Sequence, residues 1–331
     1  GSGSVEVSRA LQYHKRDYLA VAYVNEGVEL RQAGIVMPIM VLNPTPTVLH
    51  QMFSYNLEPE VCSFRMLKKI LEEANQKNLK DYPIHIKIDS GMHRAGFEYD
   101  DLDKLIDLLK SQSQLKVVSI FSHLAASEDP DMDDFTIEQI EKFNRCAEKI
   151  KQSLGYSVMK HILNSSGIER FPDYQFDMVR LGIGLWGINC QNRHLMRNVC
   201  TLKTKIIQIK KVKAGETVGY NRKGKITEDS LIALLPIGYA DGINRRLGNG
   251  VGNVLYKGQK LPIVGNICMD LMMVNITGTD AQEGDEVTFF GDNQTISDIA
   301  ALQGTIPYEV LTSIAPNKLP KFFSLVLNPA R

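Results

Sequence analysis

Short apolar runs alternate with segments of helical periodicity through the first half of the chain. The clearest predicted helix carries apolar residues spaced 3, 3, 4, 3 and 4 positions apart from Ile137 to Leu154, one face of a 3.6-residue period. Four shorter helices are predicted at Val28 to Ala33, Thr47 to Tyr55, Arg65 to Asn75 and Leu102 to Leu109. Seven strands are predicted around them, at Tyr18 to Tyr23, Pro38 to Leu42, Leu57 to Val61, Ile84 to Ile88, Val117 to Phe121, Val158 to Leu163 and Met178 to Ile183.

This alternation predicts an α/β domain in which helices cover a parallel sheet. Seven strands over residues 18–183 are one short of a (β/α)8-type barrel. The pattern changes near residue 190, where short strands separated by glycine turns replace the long helices. These strands are predicted at Thr201 to Lys213, Leu231 to Pro236, Gly252 to Tyr256, Leu261 to Val264, Leu271 to Ile276 and Glu286 to Phe290, with short helices at Ile296 to Gln303 and Tyr308 to Ile314. We therefore predict a barrel domain over residues 1–189 and a mostly antiparallel C-terminal β domain over 190–331.

Composition narrows the class of protein. Lys+Arg and Asp+Glu both number 38, so the net charge is zero. No block of five like charges appears, which argues against a nucleic-acid-binding protein, since such proteins normally carry a basic stripe. No apolar run approaches the ~20 residues that span a bilayer, so no membrane contact is expected. The five cysteines form no C-x-x-C pair, which favours a reducing cytoplasm over a disulfide framework or a zinc site. They are Cys62, Cys146, Cys190, Cys200 and Cys268.

Candidate chemistry gathers where the predicted strands end, which is where barrel enzymes carry their active residues. The residues at these ends are Lys87 with Asp89 to Arg94, Ser122 with His123, Asn164 to Ser166, and Arg180 with Gly182 to Gly184. Taken singly, each has a structural reading, such as a helix cap, a tight turn or a packed histidine. Together, small residues beside backbone N–H groups and an arginine are what a phosphate-bearing ligand needs.

The predicted β domain adds three candidate segments. They are Val218 to Asn221, Pro236 to Gly242 and Ile267 to Asp270. Each of the first two sets a tyrosine, Tyr220 or Tyr239, next to a glycine, and either tyrosine alone could be an aromatic residue of a turn.

In this order and spacing, the motifs resemble the alanine racemase family over nearly the whole chain. The motifs are Lys87-Ile-Asp-Ser-Gly-Met-His-Arg94, Ser122-His123, Asn164-Ser165, Val179-Arg180-Leu-Gly-Ile183, Val218-Gly-Tyr220, Ile237-Gly-Tyr-Ala-Asp-Gly242 and Cys268-Met-Asp270. The resemblance implies a pyridoxal phosphate (PLP) enzyme with a barrel and a C-terminal β domain. It would interconvert L- and D-alanine and supply D-alanine for peptidoglycan. It also implies a homodimer with shared active sites.

The resemblance assigns catalytic and substrate-binding roles residue by residue. Tyr220 would be one of two bases and act in the partner subunit, with His123 hydrogen-bonded to it. Arg94 would contact the substrate carboxylate, and Lys87, carbamylated in many members, would orient Arg94. Met269 would reach the substrate from the other subunit, and Tyr239 would line the entry.

The resemblance also implies a cofactor site. Arg180 would face the pyridine nitrogen of PLP, while Asn164, Ser165, Gly182 and Ile183 belong to the cofactor-binding set, with the last three on the phosphate. An arginine stays protonated, so the ring nitrogen opposite Arg180 should remain unprotonated. A free tyrosine has a pKa near 10, and the His123–Arg180 pair could supply the positive charge that lowers it.

One departure concerns the second base. The family's Schiff-base lysine lies in a segment like Val-Lys-Ala-x-x-Tyr-Gly-x-Gly, and Gly1-Ser2-Gly3-Ser4 matches only the end of that segment. The 331 residues are therefore expected to be inactive alone. They would be part of a longer protein, which we favour, a deliberate fragment or an inactive relative; some family members are fused to a cell-wall ligase.

Two further departures and several alternatives remain. Asn266 stands where the family usually has Arg, and Phe323 aligns with a phosphate-binding Tyr, so one hydroxyl contact would be lost. Alternative readings are a non-catalytic PLP-binding or dimerisation module and a racemase of broader specificity. A lysine upstream of Gly1 would favour the enzyme over the module.

Overall fold

The protein is described by a computed structural model over residues 3–188, 196–314 and 322–323. Its contacts divide it into two compact units, which we call the barrel unit, Gly3–Gly182, and the β unit, the described residues of Ile183–Phe323. The predicted boundary at 189/190 and Cys190 lie outside the described residues. In the described ranges, no helix has the length and apolar character needed to cross a bilayer.

A six-stranded sheet in the order β1-β2-β3-β4-β5-β6, parallel throughout, forms the centre of the barrel unit. Its strands are β1 Leu19–Val21, β2 Ile39–Val41, β3 Glu58–Val61, β4 Tyr82–Lys87, β5 Leu115–Phe121 and β6 Met159–His161. Its helices are α1 Ser4–Tyr13, α2 Val24–Gln32, α3 Leu49–Ser54, α4 Phe64–Gln76, α5 Leu102–Lys110, α6 Asp133–Leu154 and α7 Ser165–Arg170. Strand order follows chain order, so the carboxyl ends of all six strands share one edge of the sheet. The predicted α/β class is confirmed.

Apolar faces of the helices pack onto this sheet and form one core. In α6, the predicted apolar positions Ile140, Phe143, Ala147 and Ile150 are fully or almost fully buried, and Gly155 ends the helix in the left-handed conformation at φ 72°. Burial of such faces, rather than intrinsic propensity, stabilises helices of this length. The core fixes the strand ends that carry the candidate site.

One helix of this unit was not predicted, and one predicted strand is wrong. Helix α1 was not predicted; its Val5 and Leu11 pack against the core. Residues Met178 to Ile183 were predicted as a strand, yet they form none. Only isolated backbone bonds link this segment to the β6 region, with the N–H of Arg180 donating to the Leu163 carbonyl at 3.0 Å. The Arg180 side chain donates to the carbonyls of His161 and Ile162.

Antiparallel strands build the β unit, as predicted. Its strands are β7 Leu202–Lys205, β8 Gln208–Val212, β9 Thr217–Val218, β10 Gly224–Lys225, β11 Ser230–Leu235, β12 Asn253–Tyr256, β13 Gln259–Val264, β14 Met272–Asn275 and β15 Glu286–Phe290. The main sheet has the order β7-β15-β12-β13-β14-β11-β8, β9 pairs with β10, and helices α8 Ile296–Gln303 and α9 Pro307–Ser313 follow.

Thr201 to Lys213 was predicted as one strand, and this is wrong because the chain changes partners in the middle. The N–H of Ile206 donates to Asp285, and the N–H of Ile207 donates to Leu234. Strand β7 therefore pairs with β15 and β8 pairs with β11, so two consecutive strands form the two edges of one sheet.

Candidate active site

Arg180 is held at the carboxyl edge of the parallel sheet by both terminal nitrogens of its guanidinium. Nη1 donates to Nδ1 of His161 at 2.6 Å, and Nη2 donates to the carbonyls of Ser122 at 2.6 Å and Ile162 at 3.0 Å. Nη2 also lies 3.4 Å from Nδ1 of His123. Within the described part of the chain, every hydrogen bond of the guanidinium leaves from Nη1 or Nη2. The Nε–H group therefore remains for a ligand.

The two histidines next to Arg180 are held in the neutral form. Burial and the adjacent charge of Arg180 lower the pKa of His123 to about 3. The same two causes, burial first, lower the pKa of His161 well below its usual value. Burial likewise lowers the pKa of Arg180 to about 10, which still leaves the guanidinium charged at neutral pH. One fixed positive charge therefore stands among neutral acceptors.

Phe121, the last residue of β5, packs against three polar side chains of the site. Its ring stacks on His161 with centroids 4.9 Å apart and planes 5° apart. The Nζ atom of Lys87 lies 4.4 Å from the ring centroid, and Cζ of Arg180 lies 5.2 Å from it. A ring face attracts cations, so Phe121 stabilises both charges and keeps water from one side of them.

Lys87 is buried at the end of β4, and its nearest acid is Glu60 of β3. The Nζ atom lies 3.6 Å from Oε2 of Glu60, an ion-pair distance that is too long for a hydrogen bond. Within the described chain, that oxygen has no hydrogen-bond partner. Burial raises the pKa of Glu60 and lowers the pKa of Lys87, while each partner opposes the shift of the other. Both groups therefore carry an electrostatic cost that a nearby ligand or modification can change.

Arg94 lies in an exposed loop that is pinned back onto strand β4. The Asp89 carboxylate accepts from the backbone N–H of Gly91 at 2.9 Å and of His93 at 3.0 Å. Gly96 has φ 134°, and a Cβ there would lie 2.5 Å from the backbone nitrogen of Asp89. Only glycine allows this close approach, so the loop that presents Arg94 depends on it.

The predicted phosphate-binding residues of the barrel unit lie after β6. The Gly182 N–H donates to the Ser165 hydroxyl at 3.0 Å, which brings these two residues together. The Asn164 carboxamide oxygen accepts from the Gly167 N–H at 2.9 Å and from the Ser127 hydroxyl at 2.8 Å. Asn164 thus caps helix α7, and its oxygen is already used within the protein.

Three predicted residues are gathered in the β unit by the loop from Gly265 to Met269. The Asn266 side-chain amide donates to the Tyr220 carbonyl at 3.1 Å. The N–H of Tyr239 donates to the Cys268 carbonyl, and the N–H of Ala240 donates to the Met269 carbonyl. The side chains of Tyr220, Tyr239 and Met269 are exposed, Tyr220 by 67%. Large side chains grouped at a surface are typical of an interface or a binding site.

A glycine permits this grouping. A Cβ at Gly238 would lie 2.4 Å from the carbonyl oxygens of Cys268 and Met269, so no larger residue fits.

Ile183 begins the β unit and is buried in its core, and Phe323 is exposed. The four described cysteines, Cys62, Cys146, Cys200 and Cys268, are free thiols.

Sequence reasoning missed His161, Phe121 and Glu60. His161 and Glu60 are polar residues within the predicted strands Val158 to Leu163 and Leu57 to Val61. A buried polar group needs a partner, so each was a detectable signal. Phe121 looked like an ordinary core residue. Its contacts with two cations depend on the pairing of neighbouring strands.

The residues of the barrel unit fit PLP. The fixed guanidinium presents Nε–H, the group a pyridine nitrogen lone pair would accept from. A Cβ at Gly182 would meet only the Ser165 hydroxyl, at 3.8 Å, so the space above this backbone is open to a phosphate. A parallel barrel sheet with these groups at its carboxyl edge defines the class of barrel proteins that bind this cofactor.

Comparison with known proteins identifies the family. The model of the alanine racemase N-terminal domain matches residues 1–190, and that of the C-terminal domain matches residues 199–322. The chain belongs to the alanine racemase family, which is PLP-dependent.

Individual relatives cover nearly the whole chain. An alanine racemase 1 of Clostridium acetobutylicum is 36% identical, over 98% of this chain and 86% of its own length. The alanine racemase structure of Clostridium difficile 630 has 37% identity and a TM-score of 0.89, over 95% of this chain and 84% of that one. A Bartonella henselae alanine racemase with covalently bound pyridoxal phosphate has 31% identity and a TM-score of 0.86, over 95% and 87%.

The neutral histidines predict acid sensitivity of the fold. The pKa of His123 is lowered to about 3 in the folded chain, so the folded state binds fewer protons than the unfolded state below the usual value of 6.5. The free energy of unfolding is therefore unaffected by His123 above pH 6.5. It decreases as the pH falls from 6.5 toward 3, by at most about 1.4 kcal/mol per pH unit.

We therefore expect His123→Asn to reduce the loss of stability between about pH 7 and pH 5, measured by urea unfolding. Comparing wild type with His123→Asn isolates the effect of His123, because Glu60 is present in both proteins. Burial raises the pKa of Glu60, so Glu60 changes the stability with pH in the opposite direction. His14→Asn, at an exposed position, is the matched control and should leave the pH dependence unchanged. An identical slope in wild type and His123→Asn would contradict a neutral buried His123.

The pair of Lys87 and Glu60 predicts how the lysine can be modified. Carbamylation joins a neutral amine to CO2, releases a proton and leaves an anion beside Glu60. A carboxylate 3.6 Å away favours the ammonium and repels the carbamate. We expect Glu60→Gln to raise the carbamylated fraction of Lys87, measured by 13C NMR in labelled bicarbonate. Lys87→Arg identifies the signal by removing it. A carbamate signal no larger in Glu60→Gln than in wild type would show that Glu60 does not oppose the modification.

Proposed function

We propose that this chain interconverts L- and D-alanine with PLP, in the cytoplasm, as a homodimer that shares its active sites. The observation that carries the proposal is the fixed guanidinium of Arg180, with Nη1 and Nη2 occupied and Nε–H free of partners in the described chain. That arrangement is matched to a ring nitrogen and supports a cofactor whose nitrogen stays unprotonated.

PLP, when bound, supplies the electron sink that acidifies the Cα–H bond of an amino acid. The protein must then remove a proton from one face of Cα and return one to the other. Arg180 would donate a hydrogen bond to the ring nitrogen through Nε–H and keep its own proton, which would limit how strongly the bound cofactor withdraws electrons. That limit favours fast return of the proton over side reactions.

Tyr220 is proposed as one base. Its phenolate oxygen would take or return the Cα proton on one face, and its pKa needs a positive charge nearby to be useful at neutral pH. The exposed grouping of Tyr220, Tyr239 and Met269 supports a role in the active site of a partner subunit. There Arg180 of that subunit would supply the charge, and its neutral His123 would supply a hydrogen bond. Arg94 would hold the substrate carboxylate, and the Lys87–Glu60 pair would position Arg94.

The base on the other face is proposed to be the lysine that links the cofactor in this family. No lysine of the 331 residues lies in the matching motif, so we predict that these residues racemise alanine only with that lysine supplied from outside them. PLP would still bind through Arg180, Ser165 and Gly182, without a covalent link.

The test compares the 331-residue chain with the same chain extended by the N-terminal segment of a relative. Both are incubated with PLP and divided into two portions. One portion is treated with borohydride and its intact mass is measured, and the other, left unreduced, is assayed for loss of optical rotation of L-alanine. We expect a phosphopyridoxyl adduct and racemisation only in the extended chain. Racemisation by the 331 residues alone would refute the need for the lysine, and no PLP binding by either chain would refute the function.

Sharing of active sites is tested by mixing two inactive variants of the extended chain. Arg180→Ala damages the cofactor site of its own barrel, and Tyr220→Phe removes the base that acts in the partner. In a mixed dimer, the site in the Arg180→Ala barrel receives the substituted Tyr220→Phe position and so carries both substitutions. The site in the other barrel carries neither. We expect subunit exchange to restore about a quarter of the wild-type activity. Mixing two preparations of Arg180→Ala is the control, and no recovery in the mixed sample would place Tyr220 in its own subunit's site.

A further inference from the structure

A continuous chain of hydrogen bonds leads away from Arg180 through the interior of the parallel sheet. Nδ1 of His161 lies 2.6 Å from Arg180 Nη1, and Nε2 of the same ring lies 2.9 Å from the Ser119 hydroxyl. That hydroxyl lies 2.7 Å from Nδ1 of His85. Nε2 of His85 lies 2.9 Å from Oε2 of Glu58, which also accepts from the Tyr18 hydroxyl at 3.2 Å.

This hydrogen-bond chain takes one residue from each of four neighbouring strands. Glu58 is the first residue of β3, His85 is in β4, Ser119 is in β5, and His161 is the last residue of β6. His85 and Ser119 are direct partners in the parallel register of β4 and β5. The three inner residues, His85, Ser119 and His161, are fully buried. The chain therefore runs from the amino-terminal side of the sheet to the carboxyl edge that carries Arg180.

The two ends fix the direction of every bond. A guanidinium can only donate and an ionised carboxylate can only accept. His161 must then accept at Nδ1 and, being neutral, carry its proton on Nε2, from which it donates to Ser119. Ser119 donates its single proton to Nδ1 of His85, and His85 donates from Nε2 to Glu58. A doubly protonated His85 would leave the Ser119 proton without this acceptor. Both rings are thus assigned the Nε2–H tautomer.

We propose that Ser119, His85 and Glu58 are positioning residues that set the orientation of Arg180 by fixing the tautomer of His161. The inference rests on the proposed function to the extent that Arg180 faces the cofactor. With its proton held on Nε2, His161 offers a lone pair to Nη1 and keeps that side of the guanidinium turned away from the ligand. With the proton on Nδ1, two N–H groups would meet, and Arg180 would have to move.

The hydrogen-bond chain from Arg180 to Glu58 differs from a merely stabilising buried network in one respect. Its remote end can be changed without touching any residue near the ligand, and the change should appear at His161. Glu58→Gln keeps an acceptor oxygen for His85, whereas Glu58→Leu removes it and frees both histidines to change tautomer. Ser119→Ala interrupts the chain in the middle and leaves two ring nitrogens without a partner.

The first measurement is the tautomer of each histidine in the 331-residue chain, from long-range 1H–15N correlation with 15N-labelled histidine. We expect Nε2–H at His161 and His85 in wild type and Glu58→Gln, and loss of that pattern at His161 in Glu58→Leu. A protonated Nδ1 at His161 in wild type would overturn the inference. An unchanged His161 in Glu58→Leu would overturn it as well.

The second measurement is the dissociation constant of PLP by absorbance titration. We expect binding about tenfold weaker in Ser119→Ala and Glu58→Leu than in wild type, and near wild type in Glu58→Gln. Ser230→Ala, a buried serine of the β unit that donates to the Glu228 carbonyl at 2.8 Å, is the matched control. Equal affinity in all variants would overturn the inference. If wild type fails to bind PLP, the proposed function fails, while the tautomers still test the chain.

Discussion

The site is organised around one buried guanidinium and the acceptors that hold it. Arg180 lies among backbone carbonyls and two histidines that burial keeps neutral, so a full positive charge stands in a region with little water. An unpaired charge there would cost several kcal/mol. The acceptors offset that cost, and they exist because parallel strands end at one edge and expose their last carbonyls.

Sequence periodicity predicted most of the barrel unit because its helices are amphipathic and most residues of its strands are buried or half-buried. It failed where long-range contacts decide. Helix α1 was missed although it is ten residues long and carries Val5, Val7 and Leu11. The segment near Arg180 has the composition of a strand but makes only isolated backbone bonds. In the β unit, the split between β7 and β8 follows from the change of partner at Ile206, which no local pattern reveals.

The candidate site shows the same division. Motifs singled out Arg180, His123, Lys87, Arg94, Ser165 and Gly182 as candidates because each lies within or just after a predicted strand. They could not show that the Asn164 oxygen already caps a helix, or that Glu60 lies beside Lys87. They also could not show the interior path from His161 to Glu58, because its residues are scattered over four strands and meet only in the register of the sheet. Asn266 departs from the family pattern, yet it contacts the Tyr220 backbone and so has a local structural role.

The central claim is that Arg180 donates to the cofactor ring nitrogen and thereby keeps that nitrogen unprotonated. The most direct measurement is 15N NMR of PLP labelled at the ring nitrogen and bound to the protein at neutral pH, with Arg180→Glu as the comparison. The account predicts the chemical shift of an unprotonated, hydrogen-bonded pyridine nitrogen in wild type and a protonated one in Arg180→Glu. A protonated ring nitrogen in wild type would contradict it.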